Sequence, residues 1–326
     1  MKVSILIPVY NVAPYIEKCL GSVMAQTYPG GMECILVDDG STDDSIALAE
    51  RAIAAYGGPV EFRIIPSPRK GVAAARNAAL AEAKGEYVLY LDSDDALTPD
   101  CVEKLMAPME RDAAVEMVMG DYAFEAEGGL PPAKGEMLAE ELITDRRKIV
   151  VFSNRGNYLA CWNKLIRRDF LLEHGIRFRE GLVGEDNLWA FDLTRHLRRI
   201  YTLADVTYRY CVRPNSLVTG VPEAVRARSR GIIFETIAAT LAQGDELHEA
   251  EAFVDRICKL LVMHPEIQAY DGAIRAFKDI LRKRGQRLRA AYLGTIHRLS
   301  RSKAGRLVLP GVWKLIGLIR FGRIGE

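Results

Sequence analysis

The chain opens with two apolar runs, Val3-Ser4-Ile5-Leu6-Ile7-Pro8-Val9 and Met32-Glu33-Cys34-Ile35-Leu36-Val37, and the second continues into Asp38-Asp39-Gly40-Ser41-Thr42-Asp43. Residues 14–26 lie between them and repeat apolar side chains with helical spacing. Nearly continuous apolar runs are typical of strands buried on both faces of a parallel sheet. This stretch therefore predicts a strand–helix–strand unit of an α/β fold.

The same alternation continues along the chain. Further strands are predicted at 60–65 and 86–91, with helices at 43–56 and 71–83. Thr98-Pro99 is expected to open the next helix as N-cap and first-turn proline. The pattern indicates a mostly parallel sheet with helices on both faces.

Later segments are more varied. An apolar run covers 115–124, residues 136–180 read as mainly helical, and 199–212 read as extended. Beyond Pro222 the pattern is helical to the end, which predicts a C-terminal helical extension.

Charge is distributed unevenly. The 326 residues carry a net charge of +1, which argues against a nucleic-acid binder. Residues 282–326, however, hold 12 Lys/Arg and one acidic residue, so an acidic body precedes a basic tail of +11. Such asymmetry points to an anionic surface or polymer as partner.

The six cysteines have no C-x-x-C spacing, and they indicate buried thiols in a reducing compartment. No secretion signal and no 18-residue uncharged run is evident. We expect a cytoplasmic protein that associates peripherally with the inner face of the cell membrane.

Three predicted strand ends carry polar residues. They are Pro8-Val9-Tyr10-Asn11, Asp38 to Asp43, and Asp92-Ser93-Asp94-Asp95. Each could simply cap a helix. Ligands of open parallel sheets bind at the carboxyl ends of strands, however, and converging carboxylates repel unless a cation or ligand satisfies them.

The phosphate-binding motifs of other α/β proteins are absent. No G-x-G-x-x-G follows the first strand, and no G-x-x-x-x-G-K-[ST] occurs, which disfavours dehydrogenases and P-loop phosphotransferases. Asp92 and Asp94 instead offer hard oxygen ligands for Mn²⁺ or Mg²⁺, which can bridge a diphosphate.

Five motifs together resemble family 2 glycosyltransferases over about residues 1 to 215. They are Pro8-Val9-Tyr10-Asn11, Val37 to Asp43, Gly71-x4-Arg76-Asn77, Leu91 to Asp95, and Gly184-Glu185-Asp186. The resemblance implies a Rossmann-like GT-A fold, a divalent cation, a nucleotide-diphosphate sugar donor and inversion at the anomeric carbon.

The resemblance also implies roles on the donor side. Tyr10 would stack on the base, with Pro8 and Asn11 beside it, and Asp39, supported by Asp38, would accept the base N–H, which favours uracil. Asp94 would be the main metal ligand, and Asp92 would lie near the metal, ribose or sugar with Ser93; Asp95 would be an alternative ligand or a cap. Lys70, Gly71, Arg76 and Asn77 would line the donor site, with Arg76 either on the diphosphate or sugar or paired with nearby carboxylates.

Glu185-Asp186 stands before a helical run. An acidic first turn can merely complement the helix dipole. An inverting transfer needs a carboxylate that takes the acceptor's proton. By resemblance Asp186 is that base, and Glu185 orients it or the acceptor.

Three further residues are weaker candidates for acceptor or diphosphate contacts, namely Trp162, Lys164 and Arg213. Trp162 is either a sugar platform or a buried anchor.

These features predict a metal-dependent inverting glycosyltransferase that transfers a sugar, from UDP most simply, to a polysaccharide or lipid-linked glycan. Its parts would be a donor half at 1–105, an acceptor half with the base at 106–221, and a helical region at 222–326. The basic tail would lie on an anionic membrane or pack on the body. The alternatives are a nucleotidyltransferase and a catalytically silent nucleotide-sugar-binding subunit of a glycan-synthesis complex.

Overall fold

The structure, a computed structural model, describes residues 2–126, 133–134, 138–153, 159–212, 221–243, 271–283, 285 and 287–300. The chain divides into two compact units, Met1–Gly220 and Val221–Glu326. The predicted subdivision of the first unit at residue 105 stays a prediction.

The first four strands and three helices form where the sequence predicts them. The strands are β1 Val3–Val9, β2 Met32–Asp38, β3 Glu61–Pro66 and β4 Tyr87–Tyr90, and the helices are α1 Ile16–Met24, α2 Ser45–Ala54 and α3 Val72–Glu82. All seven residues of β1 are buried. Its side chains alternate between two cores, with Ile5 and Ile7 in one and Leu6 in the other. The mostly parallel sheet with helices on both faces is thereby confirmed.

In the described part of this unit, the remaining strands extend the sheet, and four more helices lie between them. They are β5 Ala96–Leu97, α4 Cys101–Arg111, β6 Met117–Ala126, β7 Ala133–Lys134, β8 Glu141–Ile143, α5 Arg146–Ser153, β9 Lys164–Arg167, α6 Arg168–Glu173, α7 Asp186–His196 and β10 Ile200–Val212. The strand order is β3-β2-β1-β4-β9-β6-β10-β5, while β7 pairs with β6 and β8 with β10.

Two local predictions are wrong. Residues 136–180 contain the strand β9, which runs antiparallel between β4 and β6. Its four residues lead directly into α6, so no strand period has room to show in the sequence. Helix α4 begins at Cys101 rather than at Thr98-Pro99, because the Thr98 amide donates to Thr207 O at 3.0 Å and so continues the sheet.

The second unit is helical where it is described. Its helices are α8 Glu223–Gln243, α9 Asp271–Lys283 and α10 Arg287–Ser300. Helix α9 packs against both others and buries Ala273, Ile274, Phe277, Ile280 and Leu281. No helix in the described part of the chain is long and apolar enough to cross a bilayer.

Candidate active site

The loops after β1 and β2 are interlocked at the carboxyl edge of the sheet. Asn11 takes a left-handed conformation with φ 49°, which brings its amide to Thr42. Its Oδ1 accepts from Thr42 N at 2.8 Å, and its Nδ2 donates to Thr42 Oγ1 at 3.2 Å. Asn11 therefore joins the two loops, while Pro8 lies buried in β1 opposite Val37.

Asp38 and Asp39 differ in their surroundings. Asp38 Oδ1 accepts from Ser41 N at 2.8 Å and caps the turn. Asp39 is buried, and its carboxylate accepts from Lys70 N at 2.8 Å and from Gly71 N at 2.9 Å. Gly71 has a φ of 93°, which favours glycine, and this bend aims both amides at Asp39.

Tyr10 is covered by a cation that belongs to none of the sequence motifs. The Arg69 guanidinium lies 4.3 Å from the Tyr10 ring centroid. Gly40 makes this approach possible, because a Cβ there would meet Arg69 Cβ at 3.3 Å and its φ is 76°. The only signal for Arg69 in the sequence is its place beside Lys70, after the third strand.

Arg76 joins two parts of the site. One guanidinium nitrogen lies 2.7 Å from Asp92 Oδ1, at the end of β4. The other lies 2.6 Å from Glu185 Oε1 and 3.1 Å from Asp186 Oδ1, at the start of α7. Of the two alternatives for Arg76, the structure therefore contains the ion pairs with nearby carboxylates.

Asp186 has a perturbed pKa at this edge. Burial raises the pKa of Asp186 to about 8; the Arg76 guanidinium acts in the opposite direction, and the charges of Glu185 and Asp92 add to the rise. Its side chain is 22% exposed, whereas Glu185 is 8% exposed. Asp186 is thus the carboxylate of the pair that a substrate can reach more easily.

The loop after β4 is held by a tyrosine of β10. Tyr208 is fully buried, and its hydroxyl donates to Asp95 Oδ2 at 2.5 Å and accepts from Asp92 N at 3.3 Å. The other oxygen of Asp95 accepts from Cys211 N at 2.7 Å. Asp95 is therefore committed to packing, which leaves Asp92 and Asp94 as the half-buried carboxylates of this loop.

The residues present fit a divalent cation that is completed by its substrate. Within the described ranges, no group of three or more His, Cys, Asp or Glu forms a metal cage. Mg²⁺ commonly binds through one or two carboxylates together with phosphate oxygens, so Asp94 and Asp92 suffice as protein ligands. Three carboxylates around Arg76 also leave a surplus of negative charge that a cation would offset.

Other predicted donor-site residues differ in their surroundings. The Asn77 amide donates to Phe178 O at 2.8 Å and accepts from Phe178 N at 2.9 Å, so it serves as a clamp on that backbone. Ser93 is buried within the loop, and Lys70 is exposed. Arg213 lies outside the described residues.

Trp162 and Lys164 are both buried, which bears on the weaker predictions for acceptor or diphosphate contacts. Trp162 is 5% exposed and stacks on Tyr208 with ring centroids 4.6 Å apart, so it is the buried anchor and not a sugar platform. Lys164 is 3% exposed and donates to Ala160 O at 2.6 Å. Burial lowers the pKa of Lys164 to about 8, and its ammonium is not presented to an acceptor.

Known proteins resemble this chain in sequence. The family model described as glycosyl transferase family 2 matches residues 4–175. The uncharacterized glycosyltransferase YibD of Escherichia coli (strain K12) is 27% identical over 221 residues, which are 66% of this chain and 63% of YibD. The chain thus spans less than two thirds of that relative.

Solved structures resemble it in fold. Staphylococcus aureus TarS 1–349 in complex with UDP-GlcNAc has a TM-score of 0.74 at 21% identity, covering 96% of this chain and 92% of that one. The mannosyltransferase PcManGT from Pyrobaculum calidifontis, in complex with GDP-Man and Mn²⁺, has a TM-score of 0.56 at 21% identity, covering 100% and 88%. The likeness shows that this chain has the GT-A fold.

The fold, the order of its strand-end motifs and a family model covering more than half of the chain agree. The protein belongs to glycosyl transferase family 2.

Proposed function

We propose that the protein is a metal-dependent inverting glycosyltransferase that transfers a sugar from a UDP-sugar to a hydroxyl of a glycan. The observation that carries the proposal is the joining of Asp92 and Asp186 by one guanidinium at the carboxyl edge of the sheet. In this proposal Asp92 is a donor-side carboxylate and Asp186 is the proton acceptor, and their shared partner Arg76 supports a common site for the two roles. The complex of TarS with UDP-GlcNAc supports a UDP-sugar donor.

Donor binding would use the interlocked loops. Tyr10 would stack on the base after the Arg69 guanidinium moves off the Tyr10 ring, and Asp39 would accept a hydrogen bond from the base N–H. A carboxylate has about four acceptor positions, so Asp39 can bind a uracil N–H in addition to the two backbone amides it already holds.

The chemical step would depend on Asp186. As the acceptor hydroxyl attacks the anomeric carbon from the side opposite the leaving group, Asp186 takes its proton, which gives inversion. A pKa raised to about 8 makes Asp186 a stronger base than an ordinary aspartate. A cation held by Asp94 and Asp92 would stabilise the charge of the departing diphosphate. The presence of Mn²⁺ with GDP-Man in the PcManGT complex supports a divalent cation here.

The acceptor and its location belong to the same proposal. A polysaccharide or lipid-linked glycan suits a chain whose C-terminal region is basic, because anionic lipids attract Lys and Arg. Exposed cations on the described helices α9 and α10 support membrane association; they are Arg275, Arg282, Lys283, Arg287 and Arg298.

The test is donor turnover by the full chain. Thermal shifts against a panel of UDP- and GDP-sugars, with Mn²⁺ or with EDTA, identify the donor, since a ligand at 100 times its Kd adds about 2.7 kcal/mol. Hydrolysis of that donor then reports the chemistry, and EDTA is expected to abolish it.

Asp186→Asn is expected to lower donor hydrolysis by about 10²-fold or more while UDP still binds, because only the proton acceptor is lost. The matched control is Asp169→Asn, since Asp169 has a side chain 80% exposed on α6. An Asp186→Asn variant that hydrolyses donor at the wild-type rate contradicts the assignment. A wild type that binds UDP but turns over no donor favours the catalytically silent subunit.

A further inference from the structure

Arg76 is a buried cation that holds three carboxylates. It lies on α3 with 4% of its surface exposed. Asp92 follows the end of β4, and Glu185 and Asp186 lie at the start of α7, Glu185 as its N-cap residue. One side chain therefore spans the gap between the donor-side carboxylate and the proposed base.

Stability alone is a poor explanation for this arrangement. Removing charges from water costs more than their attraction returns in many buried ion pairs, and apolar residues of similar volume are often at least as stabilising. Moreover, Arg76 Nε is buried without a hydrogen-bond partner among the described residues. A buried polar atom left in this state adds to the cost of the arrangement and calls for an explanation.

The Arg76 guanidinium also packs against the ring of Phe178. Its central carbon lies 5.2 Å from the Phe178 ring centroid. Both backbone polar groups of Phe178 are bound by Asn77, the residue after Arg76. The same ring stacks on Trp189 of α7, with centroids 5.1 Å apart and planes 1° apart. Arg76 and the first turns of α7 therefore share one rigid aromatic support.

We propose that Arg76 is a positioning residue, which sets the place of Asp186 relative to Asp92 and the donor bound beside it. This inference rests on the proposed function. Lysine cannot replace arginine in this role, because an ammonium is a point charge and lacks the planar fork that reaches carboxylates on two sides. Asn77 contributes to the same positioning, because its amide binds the backbone of Phe178, whose ring lies against Arg76.

The test separates turnover from donor binding in the full chain of 326 residues. The probes are Mn²⁺ with the fastest-hydrolysed member of a panel of UDP- and GDP-sugars, and the corresponding free nucleoside diphosphate for calorimetry. Arg76→Lys is expected to lower kcat for hydrolysis by about 10²-fold, the size of effect that misplacement by about 1 Å can have, while the Kd of the nucleotide changes less than about threefold.

The matched control is Arg63→Lys. Arg63 also bridges two carboxylates, Glu33 at 3.0 Å and Glu82 at 3.4 Å, but it lies on the edge strand β3. Its substitution is expected to leave kcat unchanged. If Arg76 only stabilised the fold, Arg76→Lys would lower the melting temperature and leave kcat of the folded fraction unaltered. That result would overturn the inference.

Asn77→Ala is the second variant, and it leaves every charge in place. It is expected to lower kcat by about tenfold at unchanged nucleotide Kd. If Arg76→Lys does not fold, this variant decides, and a wild-type kcat overturns the inference. A nucleotide Kd that weakens in Arg76→Lys as much as the rate falls also overturns it, because Arg76 would then bind the donor. A wild type that hydrolyses no donor overturns the proposed function together with the inference, whereas an active wild type with an equally active Arg76→Lys overturns the inference alone.

Discussion

Tyr208→Phe tests how the carboxylate-bearing loop after β4 is held. The substitution keeps the ring, and so the stacking on Trp162 at 4.6 Å, and removes only the hydroxyl. That hydroxyl donates to Asp95 Oδ2 at 2.5 Å and accepts from Asp92 N at 3.3 Å, in a site where Asp95 is 2% exposed. The buried carboxylate then keeps its bond from Cys211 N and loses the one from the hydroxyl.

The expected cost is about 3 kcal/mol. A buried group left unsatisfied costs about 1–3 kcal/mol, and a charged group costs more. Burial and the charges of Asp94 and Asp92 already raise the pKa of Asp95, and the Tyr208 hydroxyl opposes this rise, so its loss makes the ionised form still less favourable.

The assay is urea unfolding followed by tryptophan fluorescence, because Trp162 lies against the mutated ring. A shift of the urea midpoint at unchanged slope gives the change in the free energy of unfolding between the variant and the wild type. The control is Tyr201→Phe, whose hydroxyl donates to exposed Glu140 at 2.9 Å and should contribute less than about 0.5 kcal/mol. A loss for Tyr208→Phe no larger than that of the control would refute the reasoning.

Two further predictions concern pH and membranes. Burial raises the pKa of Asp192 on α7 from 3.8 to about 6, so its contribution to stability is present below pH 3.8 and lost as pH rises through about 6. Asp192→Asn should therefore raise the free energy of unfolding at pH 8 by at most roughly 3 kcal/mol. In thermal melts this stabilisation should vanish near pH 4. A stabilisation that is independent of pH contradicts the prediction. The second variant replaces four exposed cations of α9 and α10 by Gln, and we expect the full chain to be released from phosphatidylserine vesicles in sedimentation; these cations are Arg282, Lys283, Arg287 and Arg298. The control replaces four exposed cations of the first unit by Gln and should stay bound; these are Arg51, Lys84, Arg177 and Arg179. Equal vesicle binding by the two variants argues against membrane association through α9 and α10.

Much of the fold could be predicted because the first ninety residues carry a simple period. Strands buried on both faces are continuous apolar runs, as in β1 and β2, and the helices between them keep a 3.6-residue repeat. The four-residue strand β9 could not be predicted, since its place in the sheet comes from pairing with β4 and β6. The start of α4 was missed for a similar reason, because its decisive bond is to Thr207, far along the chain.

The candidate site divides in the same way. Asp39, Asp92, Asp94 and Asp186 could be selected from motifs that follow predicted strands or precede a predicted helix. Arg76 could be selected too, but the choice between a donor contact and ion pairs with carboxylates stayed open, because Glu185 and Asp186 lie more than 100 positions further along the chain. The same holds for Tyr208, which reaches Asp95 across 113 positions. Trp162 is an example, because the sequence allows both a tryptophan that binds sugar and a tryptophan that packs in the core. Only its burial in the structure distinguishes the two.

By itself, the sequence determined the first four strands with the helices between them, the edge at which polar residues collect and the uneven charge along the chain, because these follow from local periodicity and composition. Only the tertiary structure decided which carboxylates share Arg76, which one is committed to Tyr208, and which aromatic residues are buried. The physical reason is that protonation, ion pairing and exposure depend on distances of a few ångströms between residues that the chain separates by as many as 116 positions.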